Sequence, residues 1–226
     1  MEQNWKPIEY KFILLGDSSV GKSSIYNRLS GKNFSEGLIS TIGTEKMIIN
    51  YDDVKIDEKE NITKNFKIIL FDRAGQERYR AITKSYFKES QGIILIYSIV
   101  DEDSFKHIEA WLGSIKDSLS DWKRTGYIVM LLGNKLDIAE ENKEQRMILK
   151  EEAEKICNEQ GIYWGGECSA KTFNDSQIKE IFEKFIIKIY NKIGDENNVN
   201  EMKNQQKFLI QQQKRKKKSR NTCCSN

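Results

Sequence analysis

Hydrophobic residues along this 226-residue chain fall into two alternating patterns. Short runs that are almost continuously apolar are typical of strands covered on both faces of a parallel sheet. Four such runs are Ile8–Leu15, Phe66–Phe71, Gly92–Val100 and Tyr127–Leu132. A weaker fifth run, Ile162–Cys168, predicts the last strand of the sheet.

Segments with helical periodicity lie between and after these runs. Their apolar residues recur every three to four positions, which places them on one face of a helix. Asp103 or Ser104 is the predicted N-cap of the first of them. The predicted helices are Ser104–Ser120, Gln145–Gln160 and Asn174–Ile193. This alternation predicts a three-layer α/β domain whose ligand lies at the carboxyl ends of the strands.

Composition divides the chain into a domain over residues 8–193 and a flexible tail over 194–226. The tail is rich in Asn, Gln and Lys, and it contains few apolar residues. The net charge of +3 includes six basic residues in 214–220, which leaves −3 for the rest of the chain. A mildly acidic body with a basic tail argues against a nucleic-acid-binding face. We therefore expect the tail to have a partner of its own.

Neither a membrane-spanning run nor a signal-peptide core is evident in the sequence, so we expect a protein made in the cytosol. Two of the four cysteines are adjacent near the end of the chain, and this arrangement does not indicate a disulfide framework.

The stretch GDSSVGKSS, residues 16–24, fits the phosphate-binding P-loop pattern and follows the first predicted strand. Gly16 and Gly21 allow the backbone to turn tightly and to approach phosphates closely. The N–H groups that follow then converge at a helix start, where anions are favoured. Lys22 is predicted to reach the β- and γ-phosphate oxygens, and the Ser23 hydroxyl to hold Mg²⁺.

The base is indicated by GNKLD, residues 133–137, which follows the strand predicted at 127–132. A carboxylate accepts two parallel hydrogen bonds, and guanine presents two adjacent donors whereas adenine does not. Asp137 is therefore predicted to read guanine, while the stem of Lys135 covers the base.

With these motifs, the chain resembles the Ras-like small GTPases, and among them the Rab family. The resemblance extends over nearly all of 10–193. Further motifs that carry it are STIGTE (40–45), FDRAGQERYR (71–80) and ECSAK (167–171). It implies the P-loop GTPase fold, with a six-stranded, mostly parallel sheet flanked by five helices. It also implies a GDP/GTP switch whose slow hydrolysis is accelerated by a GTPase-activating protein and which is reloaded by an exchange factor.

The resemblance assigns roles residue by residue. Thr41 and Asp72 join Ser23 as the Mg²⁺ site, and Gln76 orients the attacking water. The residues expected to contact GTP or GDP are Gly16, Asp17, Ser18, Ser19, Val20, Gly21, Lys22, Ser23, Ser24, Phe34, Thr41, Gly75, Asn134, Lys135, Asp137, Ser169, Ala170 and Lys171.

The ending Cys223-Cys224-Ser225-Asn226 resembles the doubly prenylated tails of Rab proteins, particularly those of the early-endosomal branch. Two lipid chains anchor a protein durably, and the basic run adds attraction to an acidic leaflet. The implied partners are effectors, a prenylation escort and a GDP-dissociation inhibitor. The expected location is the cytoplasmic face of an intracellular membrane, from which a monomer cycles with the cytosol.

Three positions or segments depart from the family pattern. The aromatic effector surface corresponds to Lys46, Phe71 and Tyr86, so a lysine replaces the first ring. Residues 50–65 are longer and more acidic than the usual hairpin, and we interpret them as a surface insertion. Arg73 replaces a threonine beside Asp72, where it either faces solvent or acts on the phosphates.

Three alternative functions remain at this stage. One is a guanine-nucleotide-binding scaffold with impaired hydrolysis, which Arg73 allows and an intact Gln76 disfavours. Another is an ATP-dependent small-molecule kinase, which is disfavoured because the motifs at 133–137 and 167–171 are both typical of guanine binding. The third is a Ran-like transport GTPase, for which a terminal Cys-Cys has no use.

Overall fold

The protein is described from a computed structural model, which covers residues 6–36, 44–57, 62–73, 87, 90–119 and 127–193. Residues 1–189 form one compact unit and 190–226 a second, of which only 190–193 are described. The predicted division at residue 194 stays a prediction. The described residues include no helix that is long and apolar enough to span a membrane.

Six strands form one sheet in the order β2-β3-β1-β4-β5-β6. Only β2 is antiparallel to its neighbour, and the other pairs are parallel. The strands are β1 Ile8–Leu15, β2 Thr44–Asp57, β3 Ile62–Arg73, β4 Gly92–Ser98, β5 Ile128–Asn134 and β6 Tyr163–Glu167. All five predicted strands are present, and the prediction of a mostly parallel six-stranded α/β fold is confirmed.

The described helices include one that follows β1, two that follow β4, two that follow β5 and one that follows β6. They are α1 Lys22–Leu29, α2 Glu102–Lys106, α3 Ile108–Ser118, α4 Leu136–Glu141, α5 Lys150–Gln160 and α6, which covers 175–193. Lys143–Gln145 forms a short 3₁₀ turn. Every residue of β4 and β5 is buried, because helices of this unit cover both faces of the central strands.

Helix starts differ from the prediction in two places. The N-cap after β4 is Asp101, whose carboxylate accepts a hydrogen bond from the Ser104 N–H, and not Asp103 or Ser104. The helix predicted from Gln145 begins at Lys150, because Arg146 is extended and pairs with Glu167 through two hydrogen bonds of 2.7 and 2.9 Å.

Residues 50–65 are not a simple surface insertion. Most of them extend β2 and β3 into a long antiparallel hairpin, with register shifts between Tyr51 and Val54 and between Lys55 and Asp57. Tyr51 and Val54 are buried, so this extension contributes to the packed interior. At the first irregularity Asp53 has a positive φ, and its N–H donates to the side-chain oxygen of Asn65.

Candidate functional site

The predicted P-loop leaves the carboxyl end of β1 and enters α1. Gly16, Ser19 and Gly21 all have positive φ angles, which bring the chain round in a tight turn. A Cβ on Gly16 would lie 2.1 Å from the Ile96 carbonyl oxygen, and one on Gly21 would lie 2.1 Å from Asn134 Nδ2. Glycine is therefore required at both positions by steric contacts as well as by backbone conformation.

Lys22 is the first residue of α1 and is only 5% exposed. Its Nζ donates to the main-chain oxygen of Asp17 at the other end of the loop. Burial lowers the pKa of this ammonium group to about 8, and the charges of Asp72 and Asp17 act in the opposite direction. Without an anion in the loop, the protein keeps a lysine whose positive charge is poorly solvated.

Asn134, the last residue of β5, joins three loops through one buried side chain. Its Nδ2 donates to the Val20 carbonyl of the P-loop at 2.9 Å. Its Oδ1 accepts from the Ala170 N–H, in the loop after β6, at 3.1 Å. The side chain therefore fixes the distance between the phosphate-binding loop and the two loops predicted to hold the base.

Asp137, in the first turn of α4, is oriented by Ser169. The Ser169 hydroxyl donates to Asp137 Oδ1 at 2.6 Å. The N–H groups of Lys171 and Thr172 in turn donate to the same hydroxyl oxygen at 3.1 and 3.0 Å. This chain of hydrogen bonds fixes the carboxylate and leaves it acceptor capacity for a ligand.

A pocket of about 250 Å³ lies between these loops. Lys171 Nζ forms an ion pair with Glu36 Oε1 at 3.0 Å, which links the loop after β6 to the segment after α1. Lys135 adopts the left-handed conformation, and burial lowers its pKa. The pocket is lined by Ser19, Gly21, Ser24, Phe34, Glu36, Asn134, Lys135, Asp137, Ile138, Ala170 and Lys171. Nine of these eleven residues belong to the nucleotide-contacting set predicted from the sequence, and the other two are Glu36 and Ile138.

A model of the Ras family matches residues 11–191 of the chain. This chain belongs to the Ras family.

Proteins similar to this Ras-family chain are named as Rab proteins or their plant counterparts. The Ras-related protein Rab-13 of Mesocricetus auratus is 38% identical over 194 residues, which are 86% of each chain. The Ras-related protein RABD2a of Arabidopsis thaliana is 34% identical over 216 residues, 96% of each chain. The Ras-related protein RIC1 of Oryza sativa subsp. japonica is 32% identical over the same share. The chain is a Rab-like small GTPase of the class that acts in vesicle traffic.

The predicted metal-binding residues of this Ras-family protein lie partly within the described structure. Asp72, near the end of β3, is fully buried, and its charge acts on Lys22. Ser23 lies in the first turn of α1. Carboxylate and hydroxyl oxygens are the hard donors that Mg²⁺ prefers, so these two residues fit that ion.

Several predicted residues lie outside the described part of the chain. They are Thr41, Gly75, Gln76, Tyr86, Cys223 and Cys224. Arg73 ends β3 opposite Thr44, and its side chain is likewise outside the description. Whether Arg73 faces solvent or acts on the phosphates therefore stays an open prediction.

Two of the three predicted effector residues meet at the exposed edge of the sheet. Lys46 and Phe71 face each other across β2 and β3, and Lys46 Nζ lies 6.0 Å from the Phe71 ring centroid. Lys11 Nζ lies 5.1 Å from the same centroid. At the surface predicted to receive effectors, the Phe71 ring is thus flanked by two cations.

The sequence interpretation missed two residues that contact the P-loop. Trp111 belongs to the apolar face of the helix predicted at Ser104–Ser120 and is buried, but its indole N–H also donates to the Asp17 carboxylate. His107 contacts the same carboxylate. The one signal available in the sequence was their four-residue spacing, which places both on one face of a helix.

Asn134→Asp replaces the buried donor toward Val20 with an acceptor. We expect a loss of about 2 kcal/mol or more in the free energy of unfolding, since a carbonyl and a carboxylate then face each other without water. Urea unfolding monitored by circular dichroism measures it. Asn142→Asp is the matched control, because Asn142 caps the 3₁₀ turn through its Oδ1, which Asp also provides. Equal stability of the two variants would contradict the role given to Asn134.

Proposed function

We propose that this Rab-like protein binds GTP and GDP with Mg²⁺, hydrolyses GTP slowly, and acts as a membrane-traffic switch. The observation that carries the proposal is one pocket lined both by residues of the P-loop and by an oriented carboxylate. The P-loop residues Gly21 and Ser24 lie beside Lys22, whose ammonium is buried, and the carboxylate is that of Asp137. These groups complement the phosphates and the guanine edge of one nucleotide.

The phosphate end is supported by the state of Lys22. A lysine whose pKa is lowered by burial carries a charge that lacks solvation, and a phosphate supplies the missing negative partner. The glycines of the loop let main-chain N–H groups approach the same anion. Binding of a nucleoside diphosphate thus offsets a cost that the folded chain already bears.

The base end is supported by the hydrogen-bond chain that orients Asp137. Ser169 donates to one of its oxygens, and the fixed carboxylate then presents acceptors in the plane of a purine. Lys135 and Phe34 line the same pocket. The aliphatic stem of Lys135 and the ring of Phe34 supply apolar surface against which the base packs.

Ser23 and Asp72 are the described residues proposed to hold Mg²⁺, together with Thr41 when a γ-phosphate is present. The ion, when bound, neutralises phosphate charge during transfer to water. Gln76 is proposed to orient the attacking water, and Gly75 to donate its N–H to the γ-phosphate. Loss of the γ-phosphate contacts then releases the segments that contain Thr41 and Gly75, and partners sense that change.

Membrane attachment is proposed to use lipids on Cys223 and Cys224, aided by the basic residues of 214–220. Rab-like relatives support an intracellular membrane as the site of action. An exchange factor, a GTPase-activating protein, a prenylation escort and a GDP-dissociation inhibitor are proposed as the regulators. Effectors are proposed to bind the surface around Lys46, Phe71 and Tyr86. The protein is proposed to be a monomer.

Guanine selectivity is tested by competing GTP and ATP for the purified protein. We expect a preference for GTP of at least about 100-fold, and a loss of about 10- to 100-fold in GTP affinity for Asp137→Ala, as for the loss of a charged hydrogen bond. Glu140→Ala is the control, because Glu140 is an exposed residue of the same helix. Equal affinities of the wild type for GTP and ATP would refute the guanine assignment.

Proton uptake tests the role given to Lys22. Because its pKa is about 8 in the free protein, the group is mostly neutral at pH 9, and a bound phosphate restores its charge. Isothermal titration of GDP in buffers of different ionisation enthalpy should show uptake of about one proton at pH 9 and about a tenth at pH 7. In Lys22→Arg the side chain stays charged, so its uptake should not rise with pH. Uptake that is the same at both pH values in the wild type contradicts the assignment.

The traffic role is tested by localising the tagged full-length protein beside the Cys223→Ser, Cys224→Ser double variant. We expect a membrane-bound signal for the wild type and a diffuse signal for the variant, since two lipid chains account for durable anchoring. A diffuse signal from both proteins counts against membrane attachment.

A further inference from the structure

The junction between α2 and α3 makes a direct contact with the P-loop. His107 is the single histidine of the 226-residue sequence, and its Nδ1 hydrogen-bonds Asp17 Oδ2. Trp111 Nε1 donates to the other oxygen, Asp17 Oδ1, at 2.8 Å. We call these three residues the Asp17 clamp. Both carboxylate oxygens of Asp17 are therefore held by one helical segment.

The local backbone explains why both side chains reach the loop. His107 caps the end of α2 and the start of α3, and its carbonyl accepts from the Trp111 N–H at 3.0 Å. Residues four apart lie on the same face of a helix, so the imidazole and the indole point in one direction. Asp17 in turn follows Gly16, and its carbonyl oxygen accepts from Lys22 Nζ. The clamp thus fixes the residue to which the phosphate-binding lysine is bound.

Burial differs between the two sides of the contact. The Asp17 side chain is 11% exposed, whereas the His107 side chain is 36% exposed. Asp17 is the charged residue of the P-loop that contacts His107. Lys22 contacts the main-chain oxygen of Asp17 and not its carboxylate. On the helical side, the Glu102–Lys106 ion pair, Asp103 and Glu109 lie on the solvent-exposed surface. The contact is thus dominated by one imidazole and one carboxylate.

We propose that His107 and Trp111 position the P-loop through Asp17 and thereby slow nucleotide release. The proposal rests on the proposed nucleotide-binding function. Hydrogen bonds to a carboxylate are stronger than those between neutral groups, and two of them join one helical segment to Asp17. The clamp therefore restrains the loop that cradles the phosphates, and its loss lets nucleotide leave faster.

The test follows release of a fluorescent GDP analogue from the full chain with Mg²⁺. Release should be about fivefold faster in His107→Ala and in Trp111→Phe, because each removes one hydrogen bond to the Asp17 carboxylate. His107→Gln keeps a side-chain amide that donates hydrogen bonds and should restore much of the wild-type rate. Glu109→Ala is the matched control, because Glu109 is an exposed residue of the same helix. Wild-type release rates in both His107→Ala and Trp111→Phe overturn the proposal.

A measurement without nucleotide separates this proposal from the proposed function. In the nucleotide-free protein, His107→Ala should lower the melting temperature, and it should have little further effect when Asp17 is also replaced by alanine, because its partner is then already missing. If the wild type binds neither GDP nor ATP, the proposed function fails while this double-mutant cycle still judges the clamp. Additive effects of His107→Ala and Asp17→Ala overturn the clamp.

Discussion

The buried side-chain amide of Asn134 determines how the loops of the site lie relative to one another. It donates to the P-loop carbonyl of Val20 and accepts from the Ala170 N–H after β6. An amide is suited to this position because it presents a donor and an acceptor on one planar group without a charge to desolvate. Its close approach also explains Gly21, since a Cβ there would lie 2.1 Å from Asn134 Nδ2. The P-loop and the loop after β6 are thus parts of one hydrogen-bonded unit.

Lys22 adds a buried charge to that unit. The protein buries an ammonium group whose pKa falls to about 8, although the charges of Asp72 and Asp17 favour the protonated form. Desolvation is therefore the largest effect, and the nearby carboxylates compensate it only in part. Burial of Lys22 thus lowers the stability of the folded chain at neutral pH. Under the proposed function, a phosphate that pairs with Lys22 offsets that loss and couples binding to stability.

Local patterns in the sequence were sufficient for five of the six strands and for the motifs that follow them. Strands such as β4 and β5 are buried on both faces, so continuous apolar runs marked them to within about two residues. The extension of β2 and β3 through residues 50–65 was interpreted as a surface insertion, because register shifts after Tyr51 break the alternation of apolar and polar residues. The start of α5 was misplaced because the ion pair between Arg146 and Glu167 joins residues 21 apart, and periodicity carries no information about such a contact.

The two supports of the P-loop differ in chemistry and in the layer of the fold from which they come. Asn134 holds the loop from the sheet with a neutral amide. The Asp17 clamp holds the loop from the helical layer with an imidazole, an indole and a carboxylate. A sequence motif marked Asn134 as a nucleotide contact, but its hydrogen bond to the P-loop became evident only in the fold. The clamp joins residues 90 and 94 positions apart, so no local pattern pointed to it, and it emerged only once the fold brought α3 against the loop.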